Sequence, residues 1–370
     1  MIEKSAVFIL PVISQPRYLK RIQALKADGY NCTIFSFERE YFKGNNLEEF
    51  ISLGRVQHGN YLKRSKILIK AFLKLLRNRV TIKNANYLYV FGLDNLVLIN
   101  LLVKLLNADI KIIYEVADIR DAMFQTNMLG KTLRLVEKNM IEKTYLTVVT
   151  SPYFISDYFV PLLNVRSDKF LVIENKLFNP IPELIEKEHE NNKLRIGFFG
   201  LLRSQKAWEL LYNLAAKHPN YIEIYIRGYL LNLGDFEKKI NELDNIKYDG
   251  EYKSPDDLAE MYGRIDISLI GNISNNMKNV NLALPNRYYE SLHYRTPMIA
   301  HSNTAVARKI KQNAVGWEID FTELDTAIEK IMSINSDELK KVKEKTYVDK
   351  NLTVGDYDHQ ILLNRIKKEY

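Results

Sequence analysis

Cysteine is almost missing: the 370-residue sequence has one, Cys32. That excludes a disulfide framework within the chain and sets a reducing, cytoplasmic location as the expectation. No stretch reaches about 18 consecutive apolar residues, so no membrane-spanning helix is expected. The opening run MIEKSAVFILPVIS is short, is broken at Pro11 and has no small-residue cleavage site, unlike a secretory signal. There is no Walker loop, no H-E-x-x-H and no G-x-G-x-x-G after a strand, and the 6 histidines are scattered. These gaps argue against a P-loop NTPase, a zinc protease and a dinucleotide-dependent dehydrogenase. One D-x-D triplet, Asp356 to Asp358, lies near the C-terminus, far from the strand edge that a metal site of that kind needs.

Apolar and aromatic residues are plentiful. They make up 46% of the chain, with 23 Tyr and 16 Phe, enough for two cores in domains of about 150–200 residues. The net charge of +8 favours an anionic partner: nucleic acid, acidic lipid or a phosphorylated small molecule. No aromatic-plus-basic recognition module is present, so nucleic acid is not the expected partner.

Strand and helix patterns alternate through the first half. Apolar runs at 5–10, 30–37, 86–92, 110–116 and 145–151 read as strands, and 17–29, 61–80, 95–107 and 131–144 as helices. A charged, proline-containing stretch at 178–193 breaks the pattern, and a second alternating series begins at 194. The expected fold is α/β: two doubly wound, Rossmann-like domains facing across a cleft. The expected divisions are 1–176, a linker at 177–193, a second domain over 194–345 and a tail over 346–370. Ligands belong at the carboxyl ends of the strands, and the cleft is the default site.

Two stretches of the second domain carry chemistry. In IGFFGLLRSQKAWELL (196–211) a strand ends at Gly200, and Arg203 and Lys206 fall where the following loop meets a helix. They either serve an anion together with helix N–H groups or are solvated cations. In LALPNRYYESLHYRTPMIAH (282–301) a helix start holds Pro285, and Asn286, Arg287 and Glu290 share a face. Glu290 either accepts from vicinal hydroxyls or pairs with Arg287 on the surface.

These stretches resemble the GT-B glycosyltransferases, in particular the group-1, family-4-like set that builds bacterial surface polysaccharide. GFFGLLRSQK matches the strand–Gly–loop–Arg–x–x–Lys element, and LPNRYYESLHYRTPMIA matches the block P-x-K-x-x-E-x-L-x-x-G-x-P-V-I. The resemblance covers most of the chain and is strongest over 194–301. It implies a nucleotide-sugar donor on the second domain. Gly200, Arg203, Lys206 and the N–H groups of Leu284, Pro285, Asn286 and Arg287 would surround the diphosphate (Pro285 has no N–H to give). Glu290 would hold the ribose and Tyr252 would border the base. Metal independence is expected, with Arg203, Lys206 and helix dipoles neutralising the leaving diphosphate. The tail would cross back onto the first domain.

Two positions depart from the pattern. The first of the two glutamates of many retaining relatives falls at Leu282, and Arg295 replaces a glycine. Inverting or retaining chemistry is therefore left open. The first domain is expected to bind the acceptor, a saccharide that is lipid-linked. In YEVADIRDA (114–122), Glu115, Asp118 and Asp121 reach a carboxyl edge. Asp118 is the first choice of base and Asp121 the second; the other reading is a helix cap. Arg17 falls in the loop after the first strand. The basic helix 61–80, with Lys63, Arg64, Lys66, Lys70, Lys74, Arg77 and Arg79, is either packed on its own sheet or laid on an anionic membrane face. Two alternatives to glycosyl transfer are a nucleotide-sugar epimerase of the same fold and a non-catalytic polyanion or lipid binder.

Overall fold

The computed structural model describes residues 4–13, 15–38, 48–56, 61–185, 193–231, 233–271 and 278–367, with the side chains of 16 and 61–65 outside the description. Lys63, Arg64, part of the Asn-rich loop (272–277) and part of the expected linker (186–192) therefore lie outside the described residues. The chain divides into two compact units. Met1–Glu174 joins Asp358–Tyr370 in the first, and Asn175–Tyr357 makes the second.

The first unit is built on β1 (Ser5–Leu10), β2 (Asn31–Glu38), β3 (Ile51–Arg55), β4 (Tyr87–Phe91), β5 (Lys111–Val116), β6 (Leu146–Val149) and β7 (Phe170–Val172). All its paired strands are parallel, in the order β3-β2-β1-β4-β5-β6-β7. Strands β1 and β4 are almost wholly buried, which explains their unbroken apolar character. The crossover helices include α1 (Pro16–Ala27), α2 (Tyr61–Arg77), α3 (Leu93–Leu106) and α4 (Met128–Glu142). Proline opens α1, where a missing N–H costs nothing. The Asn127 side chain caps α4 by accepting from the Gly130 N–H at 2.9 Å. The helix read over 61–80 stops at Arg77, and a separate short helix, Arg79–Lys83, follows Asn78.

The second unit repeats the plan with β8 (Leu194–Leu202), β9 (Ile222–Leu230), β10 (Ile246–Tyr248), β11 (Ile267–Ile270), β12 (Met298–His301) and β13 (Gly316–Ile319), ordered β10-β9-β8-β11-β12-β13. Its helices include α5 (Gln205–Lys217), α6 (Leu258–Gly263), α7 (Asn286–His293), α8 (Ala305–Asn313), α9 (Leu324–Met332) and α10 (Ser336–Lys345). One core packs α5 and α9 on the sheet through Trp208, Leu211, Leu214, Ile224 and Ile328. The other face carries Phe199, Tyr225, Tyr262 and Tyr294.

The last helix, α11 (Asp356–Lys367), adds Leu362, Leu363 and Ile366 to the core of the first unit. The stretch before it does not. The Leu177 N–H donates to the Thr353 carbonyl at 2.8 Å, and the Gly355 N–H to the Leu177 carbonyl at 2.8 Å, which keeps this stretch in the second unit. The tail read over 346–370 is therefore split at Tyr357–Asp358.

Glu137 on α4 is a buried carboxyl that accepts from Tyr158 Oη at 2.7 Å and Tyr114 Oη at 3.2 Å, and burial pushes it up to about 7. The same group titrates near 4.5 when unperturbed. Between those values the folded state holds a proton that the unfolded chain has released, so stability falls as pH rises through the window. Thermal midpoints from about pH 5 to about pH 8 should fall in the parent and stay flatter in Glu137→Gln, the variant standing higher above neutrality.

Candidate active site

In both sheets the strand order reverses sense at one place, between β1 and β4 and between β8 and β11. At such a switch point the loops leaving two neighbouring strands diverge and open a crevice at the carboxyl edge. In the second unit the loop after β8 carries Arg203 and Lys206, and the segment after β11 leads to α7. The two stretches singled out in the sequence thus leave the two strands that flank one switch point.

A buried contact joins them. Arg287, 7% exposed, donates from Nη1 to the Phe199 carbonyl. Gly200 makes room for it: at φ +93°, a Cβ there would lie 3.4 Å from Arg287 Nε. Gly200 pairs with Gly228 across β8 and β9, and a Cβ on Gly228 would fall 1.9 Å from the Gly200 carbonyl oxygen. Both positions need glycine for backbone conformation, and Gly228 for space as well.

Glu290 sits one turn after Arg287. It is 2% exposed and accepts from Tyr262 Oη at 3.1 Å. The surface Glu290–Arg287 pair of the sequence reading is overturned, since both groups are buried and Arg287 binds the backbone of β8. Tyr262 packs edge-on to Phe199 (5.3 Å) and stacks on Tyr294 (5.2 Å, 16°). Tyr252, after Gly250, belongs to the same cluster: burial raises its phenol, and the charge of Glu290 raises it further. The structure therefore gathers Gly200, Tyr252, Arg287 and Glu290. Tyr262 and Gly228 are additions that sequence reasoning did not supply. Tyr262 stands 28 residues from Glu290 and carries no motif, and Gly228 is marked only by its register with Gly200.

The remaining donor-side candidates are placed less uniformly. Leu284 is buried, and Asn175 Nδ2 donates to its carbonyl at 3.5 Å. Pro285 is the N-cap of α7 rather than its first residue, with no side chain capping the helix, and Asn286 is exposed. At α5 the sequence reading is narrowed: Ser204 caps that helix by accepting from the Ala207 N–H at 3.3 Å, so one of its N–H groups is already engaged. Arg203 is exposed and Lys206 half-buried at the exit of β8.

In the first unit Asp118 and Asp121 are exposed beyond β5. Arg17 Nη2 lies 3.9 Å from Asp118 Oδ2. Asp121 is the first residue of a short 3-10 turn whose capping position is Arg120. Glu115 is corrected: it does not face solvent but is 1% exposed, paired with Arg21 Nε at 3.0 Å, and accepts from Tyr89 Oη at 2.6 Å. Among the described residues no group of three His, Cys, Asp or Glu side chains is gathered as for a metal ion.

Comparison with solved structures places this architecture. The sucrose-phosphate synthase of Thermosynechococcus elongatus superposes with a TM-score of 0.72 at 13% identity, covering 98% of both chains. Anabaena HepE, solved with UDP and glucose, superposes with a TM-score of 0.68 at 12% identity over 97% of this chain and 98% of its own. The chain has the GT-B fold. The resemblance read from GFFGLLRSQK and LPNRYYESLHYRTPMIA is in accord with that architecture. By sequence, this GT-B chain is 25% identical over 336 residues to the succinoglycan biosynthesis protein ExoL of Rhizobium meliloti (strain 1021), across 86% of this chain and 82% of ExoL. No protein-family profile matches it.

Tyr262→Phe removes a donor from a buried carboxylate. It should lower unfolding stability by about 1–3 kcal/mol, read from urea denaturation, whereas Tyr221→Phe on an exposed ring should be silent.

Proposed function

We propose that the protein is a glycosyltransferase that moves a sugar from a nucleoside diphosphate sugar to a saccharide acceptor, lipid-linked, in surface polysaccharide assembly. The observation that carries this reading is the Gly200–Arg287–Glu290 constellation at the switch point of the second sheet. Glu290 accepts from the two vicinal hydroxyls of a ribose, a carboxylate offering about four acceptor positions. The diphosphate lies against the first turn of α7, with Arg203 and Lys206 as its cations. Tyr252 borders the base. The UDP held by HepE makes uridine the first base to test. With those cations and the α7 dipole neutralising the leaving group, the reaction proceeds without metal. Asp118, with Asp121 behind it, takes the proton of the acceptor hydroxyl.

Thermal-shift titration with UDP-, GDP- and dTDP-sugars should single out one donor, which Glu290→Ala should no longer bind tightly enough to register. With that donor, Arg203→Ala should lower turnover by about tenfold or more and EDTA should leave it unchanged. Full activity in Arg203→Ala sinks the phosphate assignment. A new sugar formed from donor alone, without acceptor, would make the protein an epimerase instead.

A lipid-linked acceptor implies a bilayer surface nearby. No helix among the described residues is long and apolar enough to cross one. In the first unit α2 packs beside α3 and α3 beside α4. Each leaves large apolar side chains in water: Ile69 and Leu73, then Leu101 and Leu105, then Met128 and Leu135. Lys66, Lys70, Lys74 and Arg77 are exposed on α2. Apolar residues edged by cations suit the headgroup layer of an anionic leaflet. The protein should co-sediment with phosphatidylglycerol vesicles and not with phosphatidylcholine vesicles. Replacing both Leu101 and Leu105 by Ser should weaken that binding by about tenfold.

A further inference from the structure

The C-terminal end of α7 holds a feature that donor binding does not use. Beyond the C-cap, Tyr294, the chain passes through the left-handed region at Arg295, φ 55°. Glycine or asparagine ends a helix there most easily, because a Cβ crowds the neighbouring carbonyl. Of the five non-glycine residues with positive φ among the described residues, three are asparagine. A long cationic side chain kept at a strained position points to a use for that side chain. The Arg295 guanidinium lies over the Tyr347 ring, 4.2 Å from its centroid.

Arg295 and Tyr347 line an open cavity of about 970 Å³ within the second unit, together with Tyr357, Lys350, Asp349 and Asp356. That volume suits a small organic ligand, and the wall narrows the choice. Tyr347 and Tyr357 are 70% and 60% exposed; Arg295 covers one face of the Tyr347 ring, and its other face and the Tyr357 ring meet a partner. The third tyrosine of the wall, Tyr294, is already stacked on Tyr262. Charge is close to balanced, Arg295 and Lys350 standing against Glu183, Asp349 and Asp356. A polyphosphate or a nucleic acid would gain little there. The wall offers both donors, Arg295 and Lys350, and acceptors, Asp349 and Asp356. Asp349 and Asp356 are each engaged through one oxygen, by the Asn351 N–H and by Asn179 Nδ2, both at 2.8 Å. Open aromatic rings beside a near-neutral set of planar polar groups match the two surfaces of a pyranose, its C–H face and its hydroxyl rim.

We propose that this cavity binds a neutral oligosaccharide, one ring resting on Tyr347 and its hydroxyls bonded to Arg295, Lys350, Asp349 and Asp356. The cavity touches the donor constellation only through Tyr294, stacked on Tyr262, and the proposal holds whether or not the second unit carries a nucleotide sugar. The probe is the fluorine resonance of Tyr347 in protein labelled with 3-fluorotyrosine, assigned by its loss in Tyr347→Phe. Titration with cellotetraose and maltotetraose, β- and α-linked neutral glucans, should move that resonance saturably in the millimolar range for at least one of them. Arg295→Gly should weaken the response by about tenfold. Glycine is at home at this φ, so the variant should melt no lower than the parent, which separates lost binding from lost fold. The proposal is overturned if the resonance stays still at tens of millimolar of both glucans. It is also overturned if inorganic phosphate moves the resonance as far as a glucan does, or if Arg295→Gly responds like the parent.

Discussion

The bond from the Arg287 guanidinium to the Phe199 carbonyl holds the rest of the site together. A buried guanidinium is tolerated only where its donors are used, and here the acceptor is the backbone at the end of β8. The contact fixes α7 against β8 across the switch point. With α7 held there, Glu290 follows one turn later in the cluster of Phe199, Tyr252 and Tyr262, and the first turn of the helix begins at the same edge. Gly200 and Gly228 support this arrangement in two ways: Gly200 takes the left-handed backbone beside Arg287, and Gly228, lacking a Cβ, lets β9 lie against the Gly200 carbonyl.

The first unit uses a buried charge differently. Arg21 pairs with Glu115, reaches the Ile173 carbonyl at 3.5 Å, and lies 2.7 Å from His359 Nε2. Burial, and then the Arg21 charge, hold the His359 imidazole down to about 2, so it stays neutral beside the guanidinium. Ile173 and His359 stand next to the two points where the chain passes from one unit to the other, Glu174–Asn175 and Tyr357–Asp358. One saturated arginine therefore anchors both passages within the first unit. Losing it would strand Glu115 in a dry interior, a larger penalty than the pair's own contribution to stability. That internal duty also takes Glu115 out of solvent, leaving Asp118 and Asp121 as the exposed carboxylates of this segment.

Much of the fold was legible because its strands are buried on both faces and read as unbroken apolar runs, as in SAVFIL and YLYVF. The elements that escaped are those whose signal is weak. Strand β3 is five residues at a sheet edge with Gly54 inside it, and β7 is three residues, none fully buried. Site residues were legible where a motif is contiguous, as with Gly200 and Glu290. Glu115 was misread because its spacing to Asp118 and Asp121 suggests one shared edge, whereas it still lies within β5, where Ile112 to Val116 are all buried. Tyr262 carried no signal, since its partner is on another element.

The sequence by itself determined the two alternating α/β series, the break between them, and the two loops that carry the charged and carboxylate groups. These are local matters of hydrophobic periodicity, helix caps and glycine. Only the tertiary structure decided which carboxylates are buried, that Arg287 serves the backbone of β8 and not Glu290, that the tail divides at Tyr357–Asp358, and that Arg295 meets Tyr347. Each depends on groups distant in sequence competing for the same few donors and acceptors in space, and no window along the chain contains both partners.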